Sequence, residues 1–254
     1  MTYAQRYIAF VDILGFRELI RKSEREPELI EAIRSTINEV HKAEPGDGYV
    51  IVGDDMRSQS ISDAVAISTA DNGNGLYKML HSVQMMQWRL LERGILIRGA
   101  IVKGAILHDN HVIFGPGFNE AYRLESTIAK YPRIMVARQV AKDIEQTQRA
   151  AELLSYIKRD DDGPVSVNVL RGLDASSSEE QRAHFLPQLQ GMARLLKIRL
   201  EEQTDAPAHF EKIQWFARDW NSLIPSWANG CRVEGPGLTE MASKADAIGL
   251  ALIL

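Results

Sequence analysis

The chain has 254 residues, a formal net charge of -4 and a single cysteine, Cys231. That length buries a full core and suits one large domain, or one domain with an extension. The charge argues against broad, charge-driven nucleic-acid binding, and one cysteine excludes an internal disulfide. The N-terminus, MTYAQRYIAF, lacks the basic flank, long apolar run and small-residue cleavage site of a secretory leader. No stretch is long and apolar enough to span a bilayer, so a cytoplasmic protein without an integral membrane segment is expected.

The first predicted element is a strand over 7–13. Its period of two puts Ile8, Phe10 and Asp12 on one face and Tyr7, Ala9, Val11 and Ile13 on the other. A carboxylate beside Phe10 is costly unless a cation or a hydrogen-bonding partner offsets it. The alternative is that Asp12 caps the helix beginning near Phe16. Helical patterns follow over 16–23 and 27–42, with Pro27 at a first-turn position. Residues 49–69, YVIVGDDMRSQSISDAVAIST, read as strand, turn and strand. An amphipathic helix over 75–93 carries a Met and Leu stripe of core character. GILIRGAIVKGAI and HVIFG are strands joined by a turn at HDN, where turn chemistry outweighs a metal reading of HDNH. PGFNEAYRLESTIA starts a helix, and RIMVA is a further strand.

The order over about 140 residues is thus β-α-β-β-α-β-β-α-β. It predicts an α+β fold of ferredoxin-like or palm type, two crossing helices packing on one face of a mainly antiparallel sheet. Residues 154–170 add a hairpin at the sheet edge, in which KRDDDG, 158–163, reads as a solvated turn. A serine-rich, acidic stretch over 173–181 marks a boundary. Helices over about 180–202, 208–223 and 238–253 follow, the last an amphipathic docking helix. Two parts result: 1–172, and a helical extension over 180–254, with Trp215, Trp220 and Trp227 as packing anchors.

SISDAVAIS repeats the pattern of the first strand, with Ile61, Asp63, Val65 and Ile67 on one face. In the palm order the first strand is central and this hairpin lies beside it, so Asp12 and Asp63 can face each other. Two carboxylates that close repel, and one takes up a proton unless divalent cations separate them. Magnesium or manganese, which prefer hard oxygen ligands, suit such a pair. Leu14, Gly15 and Phe16 then lead into a helix N-terminus, whose free N–H groups and dipole suit a phosphate.

FVDILGF resembles the opening of class III nucleotide cyclases, and ISDAVAIS resembles the hairpin that carries their second metal-binding aspartate. GFNEAYRLES is similar to the family helix whose Asn orients the ribose and whose Arg stabilises charge on the reacting phosphate; these positions are Asn119 and Arg123, four apart on one helical face. IRGAIVKG is similar to the strand whose Arg grips the triphosphate, here Arg98. The resemblance covers about residues 5–145. It implies two Mn2+ or Mg2+ ions per site, held by Asp12, Asp63 and the backbone near Ile13, and a nucleoside triphosphate substrate. It also implies a homodimer in which one protomer supplies the aspartates and the other supplies the Asn/Arg helix.

The family's two base-reading positions fall on Gln59 and Val112, and neither matches the adenine or the guanine pair. Val112 has no side-chain hydrogen bond to offer a base edge. These departures resemble the pyrimidine cyclases of bacterial anti-phage (Pycsar) systems, which make cyclic UMP or cyclic CMP for a separate cyclic-nucleotide-activated effector. Arg57 and Gln59 are the candidate base readers and Tyr49 a weaker one; UTP is placed before CTP on the resemblance alone. Lys158 and Lys130 are candidates for the triphosphate, with spacing too loose to choose between them. A purine cyclase and a non-catalytic nucleotide-binding dimerisation module are the alternatives.

Overall fold

The structure is a computed structural model that describes residues 2–31, 34–35, 55–235 and 238. Tyr49, the predicted strand around it, most of the predicted 27–42 helix and the predicted 238–253 helix lie outside the described residues. β1 (Ala4–Ile13) is followed by α1 (Phe16–Ser23), β2 (Arg57–Ile61), β3 (Ala64–Ala70), α2 (Gly73–Leu91) and β4 (Ile97–His108). β5 (Ile113–Phe114), α3 (Pro116–Thr127) and β6 (Ile134–Val136) complete the expected order. Two short helices, α4 (Arg138–Glu145) and α5 (Ala150–Leu154), are additions to it. The edge hairpin is β7 (Ile157–Arg159) and β8 (Val165–Val167), and the helices α6 (Glu179–Glu202) and α7 (Pro207–Leu223) precede a 3-10 turn over Ser226–Cys231.

The sheet runs β2-β3-β1-β4-β6-β8-β7, with β5 on the side of β4. β1 is an interior strand, antiparallel to both β3 and β4, and the β4–β6 pair is parallel. This is the expected mixed α+β arrangement with a mostly antiparallel sheet. β1 is buried on both faces, which its run of apolar residues requires. Tyr7, Ala9, Val11 and Ile13 meet Leu76, Met79, Leu80 and Val83 of α2, and Phe16 packs against the same cluster. Ile8 and Phe10 join Ala64, Ala66, Val102 and Ile106 beneath Ala121 of α3. The expectation of helices on one face therefore holds for α2 and the start of α1, while α3 covers the opposite face.

The seat of α3 depends on two glycines. A Cβ on Gly104 of β4 would lie 2.6 Å from the Cα of Gly117, and one on Gly117 would lie 2.5 Å from Ile8 Cδ1. Helix and strand approach more closely than any side chain allows. Phe10 sits edge-on to Phe118 (5.7 Å) and to Tyr122 (5.4 Å) along the same seam.

A second core joins the C-terminal helices to the sheet layer. Trp88 and Leu91 at the end of α2, with Leu96, are buried with Leu189, Met192 and Leu196 of α6 and with Phe216 and Trp220 of α7. Trp220 is fully buried, and its indole N–H donates to the Cys231 carbonyl at 2.9 Å. Trp215 stacks flat on Tyr131 at 5.0 Å, and the Trp227 indole donates to the Asp174 carbonyl. The three tryptophans are packing anchors, as expected. α6 starts at Ser178, which forms a capping box with Gln181 inside the predicted boundary stretch.

KRDDDG departs from its expected solvated character. Asp160 is 4% exposed, accepts from Arg133 at 3.1 Å and from Ser166 at 2.7 Å, and pairs with Lys158. Lys158 also pairs with Asp219 of α7 at 2.7 Å, so its ammonium is committed to tying the hairpin to the helical layer. Among the described residues no helix is long and apolar enough to cross a membrane.

Opposite outcomes are expected for two glycine-to-alanine changes. Gly104→Ala forces α3 off the sheet and costs about 1–3 kcal/mol. Gly191→Ala, inside α6 with no atom of the other described elements within 4 Å of the new methyl, stabilises by roughly 0.5–1 kcal/mol. Urea denaturation of the two variants measures both.

Candidate active site

β1 ends in the residues that build the site. Asp12 lies opposite Ala64 of β3 on one side and Arg98 of β4 on the other. The β2–β3 turn passes through Ser62 at φ 58 and Asp63. The Ile13 amide donates to the Asp63 carbonyl at 3.0 Å, which draws the turn against the end of β1. Asp12 and Asp63 are thereby neighbours, both half-buried. Just beyond, Gly15 adopts φ 76 and ψ 19 as the N-cap of α1, a left-handed conformation that glycine takes without strain. Apart from its own chain neighbours, no atom of the described residues lies within 4 Å of where its Cβ would be. The Leu14 and Phe16 side chains pack into the second and first cores. What these two residues present at the turn is therefore backbone.

Arg98 is drawn into a cluster of carboxylates. Its Nε–H donates to Asp12 Oδ2 at 3.1 Å, and Nε also lies 2.7 Å from Oε1 of Glu125, a residue of α3 only 2% exposed. Burial raises the Asp12 carboxyl above its ordinary value; the hydrogen bond and charge of Arg98 oppose the shift, and the charge of Asp63 adds to it. Burial likewise raises Glu125, with Arg98 opposing and Asp12 and Asp63 reinforcing. Lys212 of α7 also acts electrostatically on Asp12, so the helical layer contributes to the field here. Glu125 is a residue the sequence reading did not assign. Its signal was present as a stripe of inward positions four apart, Gly117, Ala121 and Glu125, ending in an acid.

Asn119 and Arg123 lie elsewhere. Both are exposed on α3, Arg123 being held by Glu120 one turn before it through two contacts of 2.7 Å. At about 100° per residue, Arg123 and Asn119 sit roughly 200° and 240° around the helix from Glu125. They face away from their own chain's Asp12 and Asp63. Beside them Tyr122 (54% exposed) and Ile128, with Phe114, Tyr3 and Val112 around β5, expose apolar surface.

Arg57 and Gln59 share the Phe10 face of the sheet, opposite Ser68 and Ala66. Arg57 donates to the His108 carbonyl, where β4 enters the turn carrying Val112, and lies 3.8 Å from Asp55. Gln59 is half-buried, and its side-chain carbonyl oxygen is buried with no hydrogen-bond partner among the described residues. Lys130 is exposed at the end of α3.

No family profile matches the chain, and no curated protein matches it. Among solved structures it is similar to the catalytic core of a rhodopsin-guanylyl cyclase with converted specificity in complex with ATPalphaS. That alignment has 15% identity and a TM-score of 0.42, covering 57% of this chain and 83% of that one. It is also similar to the adenylate/guanylate cyclase/hydrolase from Silicibacter pomeroyi, at 17% identity and a TM-score of 0.39, covering 65% of this chain and 95% of that one. Likeness at this level assigns no activity.

The donors at the end of β1 are hard oxygens. Two neighbouring carboxylates and nearby backbone carbonyls fit magnesium or manganese. Among the described residues no group of three or more His, Cys, Asp or Glu stands ready to hold a metal ion. Such a sparse set suits ions whose other positions are filled by phosphate oxygens and water.

The opposite end of the same face holds a buried polar relay. Arg6 Nε donates to Ser68 Oγ at 2.9 Å, which leaves the hydroxyl hydrogen for His108 Nδ1 at 2.8 Å. His108 is 3% exposed, and burial, followed by the charges of Arg6 and Arg57, lowers its pKa to about 4. Between the unfolded value of about 6.5 and that value the unfolded chain binds a proton that the folded chain refuses. Stability from neutral His108 is therefore complete above that window and is lost as pH falls through it, by at most about 3 kcal/mol. In urea melts between pH 7 and 4, His108→Gln should show a shallower loss of stability than the unaltered protein.

Proposed function

We propose that the chain is a nucleotidyl cyclase that converts a pyrimidine nucleoside triphosphate, UTP before CTP, to its 3',5'-cyclic monophosphate and pyrophosphate. The observation that carries this is the division of α3. Its inner face closes over the Asp12 strand end through Glu125, while Asn119 and Arg123 point outward, unable to serve the carboxylates of their own chain. A homodimer in which each α3 faces the partner's Asp12 and Asp63 resolves this, and the apolar surface around Tyr122 and Phe114 suits such a contact. It agrees with the resemblance to class III cyclases, as does the mixed sheet with β1 in its interior.

In that site Asp12, Asp63 and the backbone at Ile13 hold two Mg2+ or Mn2+ ions, which, when bound, acidify the ribose 3'-hydroxyl and offset phosphate charge. Leu14, Gly15 and Phe16 offer backbone N–H groups to the triphosphate, and Arg98 offers its guanidinium. Asn119 of the other protomer orients the ribose, and Arg123 meets charge developing on the α-phosphate. The bond from the 3'-oxygen to the α-phosphorus forms and the bond to pyrophosphate breaks, the hydroxyl proton passing to water. Gln59, with an acceptor unpartnered among the described residues, suits the N3–H of uracil or the amino group of cytosine, and Arg57 lies two residues away on its strand. The catalytic part is 1–172 with 180–254 as an extension. The product is a messenger of antiviral defence in the cytoplasm, read by a separate effector.

Incubation with ATP, GTP, CTP and UTP plus manganese, with products identified by mass, tests the reading. Cyclic UMP or CMP is expected; cyclic AMP or GMP moves the assignment to a purine cyclase, and no cyclic product to a binding module. Mixing Asp12→Ala and Arg123→Ala chains, each inactive alone, should restore part of the activity through one intact composite site. Absence of rescue overturns the shared site. Arg123→Ala should lower kcat about 10²–10³-fold with an unchanged melting temperature, because the side chain is 54% exposed.

A further inference from the structure

Arg98 has one Nε–H and two carboxylates competing for it. The hydrogen points to Asp12 Oδ2 at 3.1 Å. Glu125 Oε1 lies closer, at 2.7 Å from the same nitrogen, yet this oxygen is buried and takes no hydrogen bond from the described residues. A buried carboxylate oxygen left without a donor is unfavourable, so turning the Nε–H toward Glu125 recovers a bond at one place as it is lost at the other. The guanidinium is thus poised between two acceptors that differ in what else can serve them. Asp12, 17% exposed and beside Asp63, is open to a cation from solvent; Glu125, 3% exposed under α3, is not.

Arg98 is the cation that bonds Asp12, and Lys212 of α7 adds only its field, so the carboxylates of Asp12, Asp63 and Glu125 outnumber the cations around them. A divalent ion on Asp12 would stand next to Arg98 if the guanidinium stayed, and like charges at that separation repel. We infer that Arg98 is the resident counter-ion of the Asp12–Asp63 pair, and that Glu125 is the positioning residue that receives its guanidinium when a divalent cation takes its place. Without Glu125, Arg98 would have no acceptor to move to and would compete with the cation throughout. Moved onto Glu125, it remains at the edge of the site and is available to phosphate through its two terminal nitrogens.

The inference rests on the reading of Asp12 and Asp63 as cation ligands, and the test separates the two. Mn2+ binding to the nucleotide-free full-length protein is followed by electron paramagnetic resonance of the free ion. Asp12→Asn should abolish binding; equal affinity of this variant and the unaltered protein, or no binding to either, overturns the ligand reading and this inference with it. If Asp12 is required, Arg98→Met should tighten Mn2+ about tenfold and Glu125→Gln should weaken it about tenfold. In the Arg98→Met background the Glu125→Gln effect should vanish, since there is nothing left to receive. Additive effects in the double variant, or no effect of either single change, overturn the inference and leave the ligand reading standing.

A second measurement needs no change at Glu125, should that variant fail to fold. The Nε–H resonance of Arg98, assigned by its loss in Arg98→Met, is followed by NMR during a Mg2+ titration. It should shift as the hydrogen bond changes partner, and a resonance that stays in place at saturation overturns the inference.

Discussion

The contact on which the site depends is the approach of α3 to the sheet across Gly104 and Gly117. With no side chain on either residue, the helix lies low enough over β4 for Glu125 to reach Arg98. Once that inward face is fixed, the helical period decides the rest, turning Asn119 and Arg123 to solvent. A larger residue at either position would change an orientation as well as a packing density. Ordinary cores tolerate such changes with modest rearrangement; here the rearranged part would be the face of α3 that carries Asn119 and Arg123.

The charges at the end of β1 obey a similar economy. Asp12 and Asp63 are brought together by backbone geometry, the interior place of β1 and the bond from the Ile13 amide to the Asp63 carbonyl, so their repulsion is built in whether or not a ligand is present. Arg98, directly across the ladder from Asp12, is the nearest relief. Its hydrogen bond and charge oppose the burial that raises Asp12, and its charge opposes the burial that raises Glu125.

Much of this was legible in the sequence, and the reasons are specific. The β1 alternation and the four-residue spacing of Asn119 and Arg123 follow from strand and helix periods; Asp63 does not, because Ser62 and Asp63 form the β2–β3 turn rather than continue a strand face with Val65 and Ile67, and it is the turn that brings Asp63 beside Asp12. The two-faced covering of the sheet was not legible, because α2 and α3 carry apolar stripes of the same kind and periodicity does not say which face each meets. Glu125 was hidden for a related reason: an acid on an inward stripe is recognisable once its partner across the helix–sheet seam is known, and Arg98 is 27 residues earlier in the chain. Asp160 escaped likewise, since three consecutive aspartates suggest water until Arg133 and Lys158 are seen to close on the first of them.

Leu14 gives the helical layer a hold on the site. It stands between Asp12 and Gly15, its amide bonded to the Leu96 carbonyl and its side chain set against the core built around Trp220. The turn that would meet the phosphates is consequently anchored in the C-terminal helices, far from it in sequence. A change in that helical core is therefore felt at the turn through the Leu14 side chain. The end of β1 and the C-terminal helices are thus parts of one packed core.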